Sequence, residues 1–336
     1  MGIVLTDFLQ KDIEMAGNPN FGNLYSTSID NYTDVLKDNY TANSKLLTWL
    51  KKEGNVKTED GGVEILQNLE MAENGAYNRY DGAQAWDLES KKFATAASFA
   101  RKKVAVTMVV TGSELMANEG KSRMIDLIAA KIKNGSKTLQ NGLAADVYSD
   151  GSDALQIGGL QYLVADTPSS GTVGGIDASA SDNAWWRNYK GTCTFASDNG
   201  ISKLNEAILK TTRNNDAPKA IFVDNAWYTH LYDKFTAVQR FVNTEGKGGF
   251  MELSLNGLPV FCDQGISATS MEGKIPANHA YVLNTDFIYL RPHVRRNPAK
   301  KERVNSINQD LYSEAWLWAG NMTTSGRAFQ GVVVGS

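Results

Sequence analysis

Residues 58–110 form two apolar arms around a polar tip, and this segment constrains the fold more than any other. Val63, Ile65 and Leu69 alternate with polar residues on the first arm. The return arm contains VAVTMVV, whose period of two is typical of a β-strand. The tip between them is AENGAYNRYDGAQAWD. Because a two-stranded ribbon is only marginally stable in water, we expect this hairpin to lie either on its own domain or on another surface.

The first 57 residues lack the periodicity of a compact domain. The stretch GNPNFGNLYSTSIDNYTDVLKDNYTANS is rich in small polar residues, and one short amphipathic helix is predicted at Ser44–Lys52. So long a segment with little regular structure is uncommon in a self-contained domain. Its tyrosines, Phe21 and Trp49 argue against a purely solvated tail. The segment is therefore either disordered or, as we favour, ordered by something outside the chain.

Composition excludes several classes of protein. The 336 residues include 34 Lys+Arg and 37 Asp+Glu, for a net charge of -3, and this balance argues against a dedicated nucleic-acid binder. No apolar run reaches the roughly 18 residues of a membrane-spanning helix, and the first residues lack a secretory signal. Cys193 and Cys262 cannot build a disulfide framework, and we interpret them as buried thiols in a reducing compartment.

Motifs for enzymatic chemistry are missing from the sequence. It contains no phosphate loop G-x-x-x-x-G-K-[ST], no H-E-x-x-H, no C-x-x-C and no G-x-S-x-G. No carboxylate–histidine cluster has the spacing of metal ligands. We therefore expect a protein that is not an enzyme, with no catalytic, cofactor-binding or metal-binding residues. A soluble hydrolase with His230 or His279 as general base stays as a remote alternative, although nothing nominates its nucleophile.

Helices are predicted directly after the hairpin. The sequence TGSE at 111–114 has the spacing of a capping box, which marks a helix start. A longer helix is predicted from Lys121 to Tyr148, on an apolar stripe that includes Gly135 and Gly142. Each glycine costs about 1 kcal/mol relative to alanine inside a helix. Their position on the stripe therefore indicates that another backbone passes close by.

Residues 155–284 are predicted to form a mixed α/β unit. Helices are expected at Gly200–Arg213 and Asn225–Phe235. Asn256-Gly257, between two short apolar runs, predicts a hairpin with a type I′ turn. The strands predicted from here to the end of the chain are Leu160–Val164, Ala220–Val223, Leu253–Leu255, Leu258–Phe261, Ala280–Leu283, Phe287–Leu290, Leu311–Ala319 and Ala328–Val334.

Charge is distributed unevenly despite the small net value. One basic patch comprises Lys91, Lys92, Arg101, Lys102 and Lys103. The other comprises Arg291, Arg295, Arg296, Lys300, Lys301 and Arg303, whereas residues 1–90 are rich in acids. These patches are either solvated loops or the basic half of a contact in which an acidic extension of one chain covers a basic surface of another.

Two tryptophan clusters, WWRN at 185–188 and WLW at 316–318, are typical of a core or of interface anchors, and a cage for a stacked ligand is a third reading. The aromatic and basic residues considered so far give the candidate contacts between subunits. These are Phe21, Tyr25, Tyr32, Trp49, Tyr77, Arg79, Tyr80, Trp86, Lys91, Lys92, Arg101, Trp185, Trp186, Arg187, Arg291, Arg295 and Arg296.

Several stretches resemble the major capsid proteins of tailed double-stranded-DNA bacteriophages. They are IGGLQYLVADTPSSGTVGGIDASASDNAWWRN at 157–188, YLRPH at 289–293, EAWLWAGNMTTSGRAFQGVVV at 314–334 and TGSELMAN at 111–118. Their order and spacing cover most of the chain from about residue 93 onward. The resemblance implies the α+β Hong Kong 97-like capsid fold.

That fold implies a division of the chain. Residues 1–57 would be an N-terminal arm, and 58–110 the extended loop with the first strand of the peripheral domain. Residues 111–154 would carry the long spine helix of the peripheral domain, 155–284 the axial domain, and 285–336 the strands that return to the peripheral domain. The arm here begins almost at Met1, so we expect a separate scaffolding protein or a segment removed from the chain. No lysine–asparagine pair is singled out for crosslinking.

The resemblance also implies function and partners. The chain would assemble with itself into the hexamers and pentamers of an icosahedral head, in the cytoplasm of a host bacterium, and would reside in the virion. Its partners would be scaffolding and portal proteins, decoration proteins, and packaged double-stranded DNA by non-specific proximity, with no membrane. An encapsulin-like shell around a protein cargo is the alternative.

Overall fold

The computed structural model describes residues 44–73, 77, 79–83, 92–117, 127–238, 253–263, 275–305 and 309–336. Contacts divide the chain into two compact units. The described part of the smaller unit lies within Ala105–Thr138 and Lys300–Trp316, and the larger unit comprises Ala42–Val104, Leu139–Ala299 and Leu317–Ser336. None of the helices in the described ranges is long and apolar enough to cross a membrane.

The helices agree with most of the sequence-based expectations. They are α1 Lys45–Lys52, α2 Gly112–Ala117, α3 Leu127–Asp146, α4 Leu160–Leu163, α5 Gly200–Thr211 and α6 Asn225–Val238. The prediction of a strand at Leu160–Val164 is wrong, because these residues form α4 and its C-cap. A short apolar run does not distinguish a strand from a buried helical turn. Here the Leu160 amide donates to the carbonyl of Val147 beyond the end of α3, 2.7 Å away, and starts the turn.

Fourteen strands are described. They are β1 Glu64–Glu70, β2 Ala94–Ala100, β3 Lys102–Thr111, β4 Thr172–Val173, β5 Ile176–Asp177, β6 Tyr189–Cys193, β7 Ala220–Val223, β8 Leu253–Leu255, β9 Leu258–Cys262, β10 His279–Leu283, β11 Ile288–Pro292, β12 Ala299–Asn305, β13 Leu311–Thr324 and β14 Gly331–Gly335. β13 pairs with β11, β12 and β3 in a four-stranded sheet, while β1–β2 and β4–β5 are two-stranded.

A six-stranded sheet in the order β6-β14-β10-β7-β9-β8 forms the centre of the larger unit. β10 is antiparallel to β14 and β7, whereas β14 is parallel to β6 and β7 is parallel to β9. The last strand therefore joins the sheet of residues 189–283. The division of the chain into arm, extended loop, peripheral and axial domains stays a prediction.

Both faces of this central sheet are covered. On one face, Ile221 and Val223 pack in a core cluster with Leu204 of α5 and Trp227 of α6. Side chains alternate along a strand, so Phe222 points to the opposite face. There its ring lies 5.4 Å from that of Phe261. A sheet covered on both sides reads as a continuous apolar run, as AIFV does in β7.

The turn between β8 and β9 confirms the predicted hairpin. Asn256 and Gly257 have φ values of 52° and 81°, the left-handed conformations that a type I′ turn requires at both central positions. The registered pairs run from Leu253↔Val260 to Leu255↔Leu258. Two residues therefore fix the register of this edge of the sheet.

Helix α1, near the end of the predicted N-terminal arm, is ordered by contacts within its own chain. The Ser44 hydroxyl accepts from the Leu47 amide as N-cap, and Leu46 and Leu50 are fully buried. Beyond the helix, the amides of Lys57 and Glu59 donate to carbonyls of β11 at 2.9 Å. The expectation that all of residues 1–57 lack support within the chain is therefore wrong for residues 44–57, and residues 1–43 lie outside the described ranges.

In the smaller unit, the predicted capping box is confirmed. The Thr111 hydroxyl accepts from the Glu114 amide at 3.3 Å, and the Glu114 carboxylate accepts from the Thr111 amide at 2.9 Å. Lys131 of α3 donates to both Glu114 oxygens at 2.9 Å. Burial raises the pKa of Glu114, but the bonds from Lys131 and Thr111 outweigh burial and leave that pKa below its usual value.

Helix α3 confirms the predicted long helix over Leu127–Asp146. Residues 118–126 lie outside the described ranges. The interpretation of its glycines is wrong. A β-carbon at Gly135 would lie 2.4 Å from the sulfur of Met108, a side chain and not a backbone. A β-carbon at Gly142 would meet no described atom within 4 Å. Gly135, on the apolar stripe of α3, therefore leaves room for the side chain of Met108.

Candidate assembly interface

The β1–β2 ribbon carries exposed apolar side chains. Leu66 on its outer face is 63% exposed, and Val63 and Phe93, just before the two strands and at opposite ends of the ribbon, are 89% and 55% exposed. Ile65 of β1 and Phe99 of β2, which are paired in the register, are instead buried on the inner face. One face of the ribbon is thus buried against its own chain, and the other presents Leu66 to solvent.

The inner face is held by the turn between β4 and β5. The Ser98 amide donates to the Gly174 carbonyl at 2.9 Å. Gly174 has a φ of 61°, and a β-carbon there would lie 2.8 Å from that of Ala97 and 3.0 Å from the ring of Phe99. Both the backbone conformation and this close approach require glycine. The glycine-rich sequence TVGG therefore supports the ribbon.

Arg291 fastens the ribbon to β11. Its guanidinium donates to the Gln67 side-chain oxygen at 2.5 Å, to the Thr323 hydroxyl at 3.1 Å, and to the carboxylate of Glu59. It also lies over the ring of Tyr289, 5.3 Å from its centroid. Arg291 was predicted as a contact between subunits, and the structure engages its guanidinium within its own chain.

The other basic patch is partly engaged as well. Arg101 donates to the carbonyls of Gly61 and, at 2.8 Å, of Gly62, and thereby closes the base of the ribbon. Lys102 donates to the Ala154 carbonyl at 2.5 Å. These bonds join segments that are distant in sequence, so no local pattern predicts them. The side chain of Lys92 is exposed.

The cluster at 185–188 supports the loop that precedes it. Trp186 is fully buried and donates to the Val173 carbonyl at 3.0 Å. Arg187 donates to the carbonyls of Ala178, at 2.8 Å, and Ala180, at 3.0 Å. Trp185 is half-buried against Trp186, with ring centroids 5.4 Å apart. These contacts are those of a core cluster, one of the interpretations that the sequence left open.

The predicted contact residues therefore fall into three groups. Engaged or buried within the chain are Trp49, Arg101, Trp185, Trp186, Arg187 and Arg291. On the exposed surface are Tyr77, Arg79, Tyr80, Lys92, Arg295 and Arg296. Outside the described residues are Phe21, Tyr25, Tyr32, Trp86 and Lys91.

Exposed acids lie on and just beyond β1, at Glu64, Glu70 and Glu73. Arg295 and Arg296 are exposed on the loop after β11, and Lys92, just before β2, is an exposed cation of the ribbon itself. The ribbon therefore exposes charge of both signs beside Leu66.

Asp263 is a key residue that sequence reasoning missed. Its carboxylate is 2% exposed and accepts from the Ser44 hydroxyl at 2.8 Å, the Leu46 amide at 3.1 Å and the Tyr148 hydroxyl at 2.9 Å. Burial, followed by the charge of Asp263, raises the pKa of Tyr148 well above its usual value. Asp263 thus fixes the start of α1 on the body of the larger unit, and no local pattern around it marks this role.

The partners of His279 and His230 are carboxylates and a backbone carbonyl. His279 contacts the Asp166 carboxylate and the Ala277 carbonyl, while His230 lies 3.9 Å from the Asp198 carboxylate. These partners include no nucleophile for the hydrolase alternative. Among the described residues, no group of three or more His, Cys, Asp or Glu side chains is arranged to hold a metal ion.

The fold is shared with shell-forming proteins. The chain is similar to one in the capsid asymmetric unit of cyanophage A-1(L), with a TM-score of 0.62, 15% identity, and coverage of 90% of this chain and 95% of that one. It is similar to one in the capsid of a native GTA particle, with a TM-score of 0.60, 10% identity, and coverage of 90% and 95%. No family model and no curated protein matches the sequence.

The similarity extends to an encapsulin. The holo-SrpI encapsulin complex from Synechococcus elongatus contains a chain with a TM-score of 0.57, 10% identity, and coverage of 93% of this chain and 94% of that one. At these identities the similarity establishes the fold alone. The capsid fold predicted from the sequence is therefore confirmed, and the division into arm, extended loop, peripheral and axial domains stays a prediction.

Proposed function

We propose that this chain is the major capsid subunit of a tailed bacteriophage and assembles with itself into an icosahedral head. The observation that carries the proposal is the extent of the fold similarity, which covers nine-tenths of the chain and nearly the whole of a chain from a phage capsid. Hexamers and pentamers would enclose double-stranded DNA by non-specific proximity. Separate scaffolding, portal and decoration proteins complete the proposed set of partners. Assembly would take place in the cytoplasm of a host bacterium.

The proposed role is structural and not catalytic. Shells close because each subunit makes several modest contacts whose free energies add, so that no single interface has to be tight. The ribbon supports this mechanism, since Leu66 on its outer face and Val63 and Phe93 at its two ends remain exposed in the single chain. We propose that the ribbon lies on a neighbouring subunit, with its acids directed toward Arg295 and Arg296 of that neighbour.

Electron microscopy of the expressed full chain tests the proposal. We expect closed icosahedral shells, alone or with a co-expressed scaffolding protein from the same source. A chain that stays monomeric at every salt concentration, pH and scaffolding condition contradicts the proposal. Mass photometry of the same samples separates hexamers and pentamers from aggregates.

The second candidate is an encapsulin-like shell around a protein cargo, which the similarity to the holo-SrpI encapsulin favours. The two candidates differ in what the particle encloses. Particles purified from the natural source are treated with nuclease, opened and analysed for nucleic acid and protein. Nuclease-protected genomic DNA supports the phage head, whereas particles that contain one abundant enzyme and no protected DNA support the compartment.

A further inference from the structure

His279, at the start of β10, has an acceptor at each ring nitrogen. Nε2 lies 2.9 Å from a carboxylate oxygen of Asp166, and Nδ1 lies 2.6 Å from the Ala277 carbonyl. An ionised carboxylate and a carbonyl accept hydrogen bonds and do not donate them. A neutral imidazole carries one N–H and satisfies one of the two. The doubly protonated ring is the form that makes both bonds.

The segment that carries Asp166 is otherwise fixed by groups that do not titrate near neutral pH. The buried Arg327 donates to the Leu163 carbonyl at 2.7 Å and to the Asn188 side-chain oxygen at 3.1 Å. Asn188 in turn donates to the Ala165 carbonyl at 2.9 Å. Burial lowers the pKa of Arg327 to about 10, so it stays charged at neutral pH. Of these contacts, the bond between Asp166 and His279 is the one that changes with pH.

The charges around His279 favour its cationic form. Besides Asp166, the carboxylate of Asp224 lies nearby, where it accepts from the amide of Asn278 at 2.6 Å. Lys190 of β6 acts on Asp166. Tyr281 of the same strand stacks on the imidazole at 6.1 Å, and its buried phenol has a pKa well above its usual value. The cross-strand partner on β14, Val334, carries no charge.

The direction of titration follows from this environment. Burial lowers the pKa of His279, but the hydrogen bonds to Asp166 and to Ala277 outweigh burial, so the pKa lies above its usual value. The same bond from His279 holds the pKa of Asp166 below its usual value. Both ionised forms are thus stabilised by the folded arrangement.

We propose that His279 and Asp166 form a pH-sensitive latch that joins the segment after α4 to the first residue of β10. The latch is closed while the imidazole carries both protons. It weakens as pH rises through the folded-state pKa of His279, because the neutral imidazole has no positive charge to pair with Asp166 and has one N–H for two acceptors. This inference does not depend on the proposed assembly, because every group in it belongs to one chain.

Linkage fixes the pH window. A histidine whose folded-state pKa is raised contributes stability fully below its unfolded pKa, about 6.5, and loses it as pH rises through the folded value. The lowered pKa of Asp166 contributes stability above about pH 3.9 that is lost as pH falls toward the folded value. The latch is therefore strongest at mildly acidic pH. Between pH 6.5 and the folded-state pKa of His279, its opening constant rises by up to about tenfold per pH unit.

Ring ¹⁵N shifts of the full chain, labelled at histidine, test the protonation state directly. Solid-state magic-angle-spinning NMR applies equally to subunits and to assembled particles, and His230→Gln and His293→Gln assign the other two resonances. We expect His279 to be doubly protonated at about pH 6.5 and the variant Asp166→Asn to lower its pKa. A neutral His279 at that pH, or a titration unchanged in Asp166→Asn, overturns the proposal.

Hydrogen exchange measured by mass spectrometry tests the opening. Protection of peptides that span residues 164–168 is corrected for the intrinsic pH dependence of exchange and compared between pH 6 and pH 9. We expect protection to fall with pH in the native chain and in the control His293→Gln, and to be pH-independent in His279→Gln. Equal pH dependence in the native chain and in His279→Gln refutes the latch. If His279→Gln does not fold, Asp166→Asn provides the same comparison.

Discussion

The central six-stranded sheet and the β1–β2 ribbon differ in what covers their two faces. Every residue of β7 is buried, and so are Ala280 to Leu283 of β10. In β1, by contrast, buried and exposed positions alternate. The central sheet thus finds its apolar partners in its own helices, whereas the ribbon finds them for one face alone. Changes to the sheet should therefore act on folding, and changes to the outer face of the ribbon on association.

The largest effect on folding is expected from Trp227→Ala in the core of the central sheet. The indole is fully buried and donates to the Asn278 carbonyl at 2.8 Å. Removing it leaves a large cavity, although the Asn278 carbonyl keeps its bond from the Gly335 amide at 2.7 Å, and we expect a loss of about 3–5 kcal/mol in the free energy of unfolding. Urea denaturation monitored by circular dichroism measures this loss. The matched control is Trp185→Ala, whose half-buried indole should cost less; equal losses would contradict the assignment of the core.

A smaller loss is expected from Asp263→Ala. The change leaves the Ser44 hydroxyl, the Leu46 amide and the Tyr148 hydroxyl without their buried acceptor, and we expect about 2–3 kcal/mol. Unfolding in urea measures the effect. A double-mutant cycle with Ser44→Ala separates this bond from the capping role of Ser44, and a coupling energy near zero would show that Asp263 does not hold α1 through the Ser44 hydroxyl.

The ion pair in the smaller unit predicts a dependence on acid. Because the pKa of Glu114 is lowered in the folded chain, its contribution is present above the unfolded pKa of about 4.3 and is lost as pH falls through the folded value. Glu114→Gln should cost about 1–2 kcal/mol at pH 7, and the difference from the native chain should vanish at low pH. Thermal unfolding at a series of pH values measures it. A difference that is constant from pH 7 to pH 2.5 contradicts the role of the ion pair.

The ribbon should behave in the opposite way. Leu66→Asp places a charge on the exposed face, and we expect the free energy of unfolding of the subunit to change by no more than about 0.5 kcal/mol while shells fail to form. Sedimentation and electron microscopy measure assembly. Leu66→Val keeps the surface apolar and should assemble normally. Leu209→Asp makes the same change at an exposed leucine on α5 and is the control for an added charge outside the ribbon. Normal shells from Leu66→Asp would show that the outer face of the ribbon does not take part in assembly.

The smallest effect on subunit stability is expected from deletion of residues 1–43. The cut falls just before Ser44, so the N-cap of α1 and its bond to Asp263 are kept. We expect an unchanged urea midpoint and no shells, in keeping with the proposed arm. A second deletion that removes residues 1–46 also removes the cap, and it should lower the midpoint. Shells of normal size from the first deletion would contradict the arm's role.

Elements with strong local signals were predictable from the sequence. The capping box at Thr111, the Asn256-Gly257 turn and the fully apolar β7 agree with their predictions because each depends on residues adjacent in the chain. The strand predicted at Leu160–Val164 was wrong because so short a run carries no clear period, and the helical turn found there starts from a bond to Val147. The burial of Ile65 and Leu69 follows from the alternation in β1, whereas Val63, in the same phase but before the strand, is exposed.

The candidate interface was only partly predictable for a related reason. Charge and aromaticity nominate candidate contact residues, but they do not say whether the partner lies in the same chain or in another. Arg291 and Arg187 have the composition of interface anchors, yet their guanidinium groups bind carbonyls and side chains of the same molecule. Their partners lie between 7 and 232 positions away. Sequence distance of that size leaves the partner open.

By itself the sequence determined the periodicities, the turns, the charge asymmetry and a resemblance that leads to the capsid fold. The tertiary structure alone decided which polar groups are enclosed and by what. Asp263 and Arg327 are unremarkable in the sequence, and His279 is marked there only as a remote candidate base. Each becomes a fixed point because residues from distant segments converge on it. The physical reason is that hydrogen bonds and burial depend on position in space, whereas a local pattern reports only the chain around it.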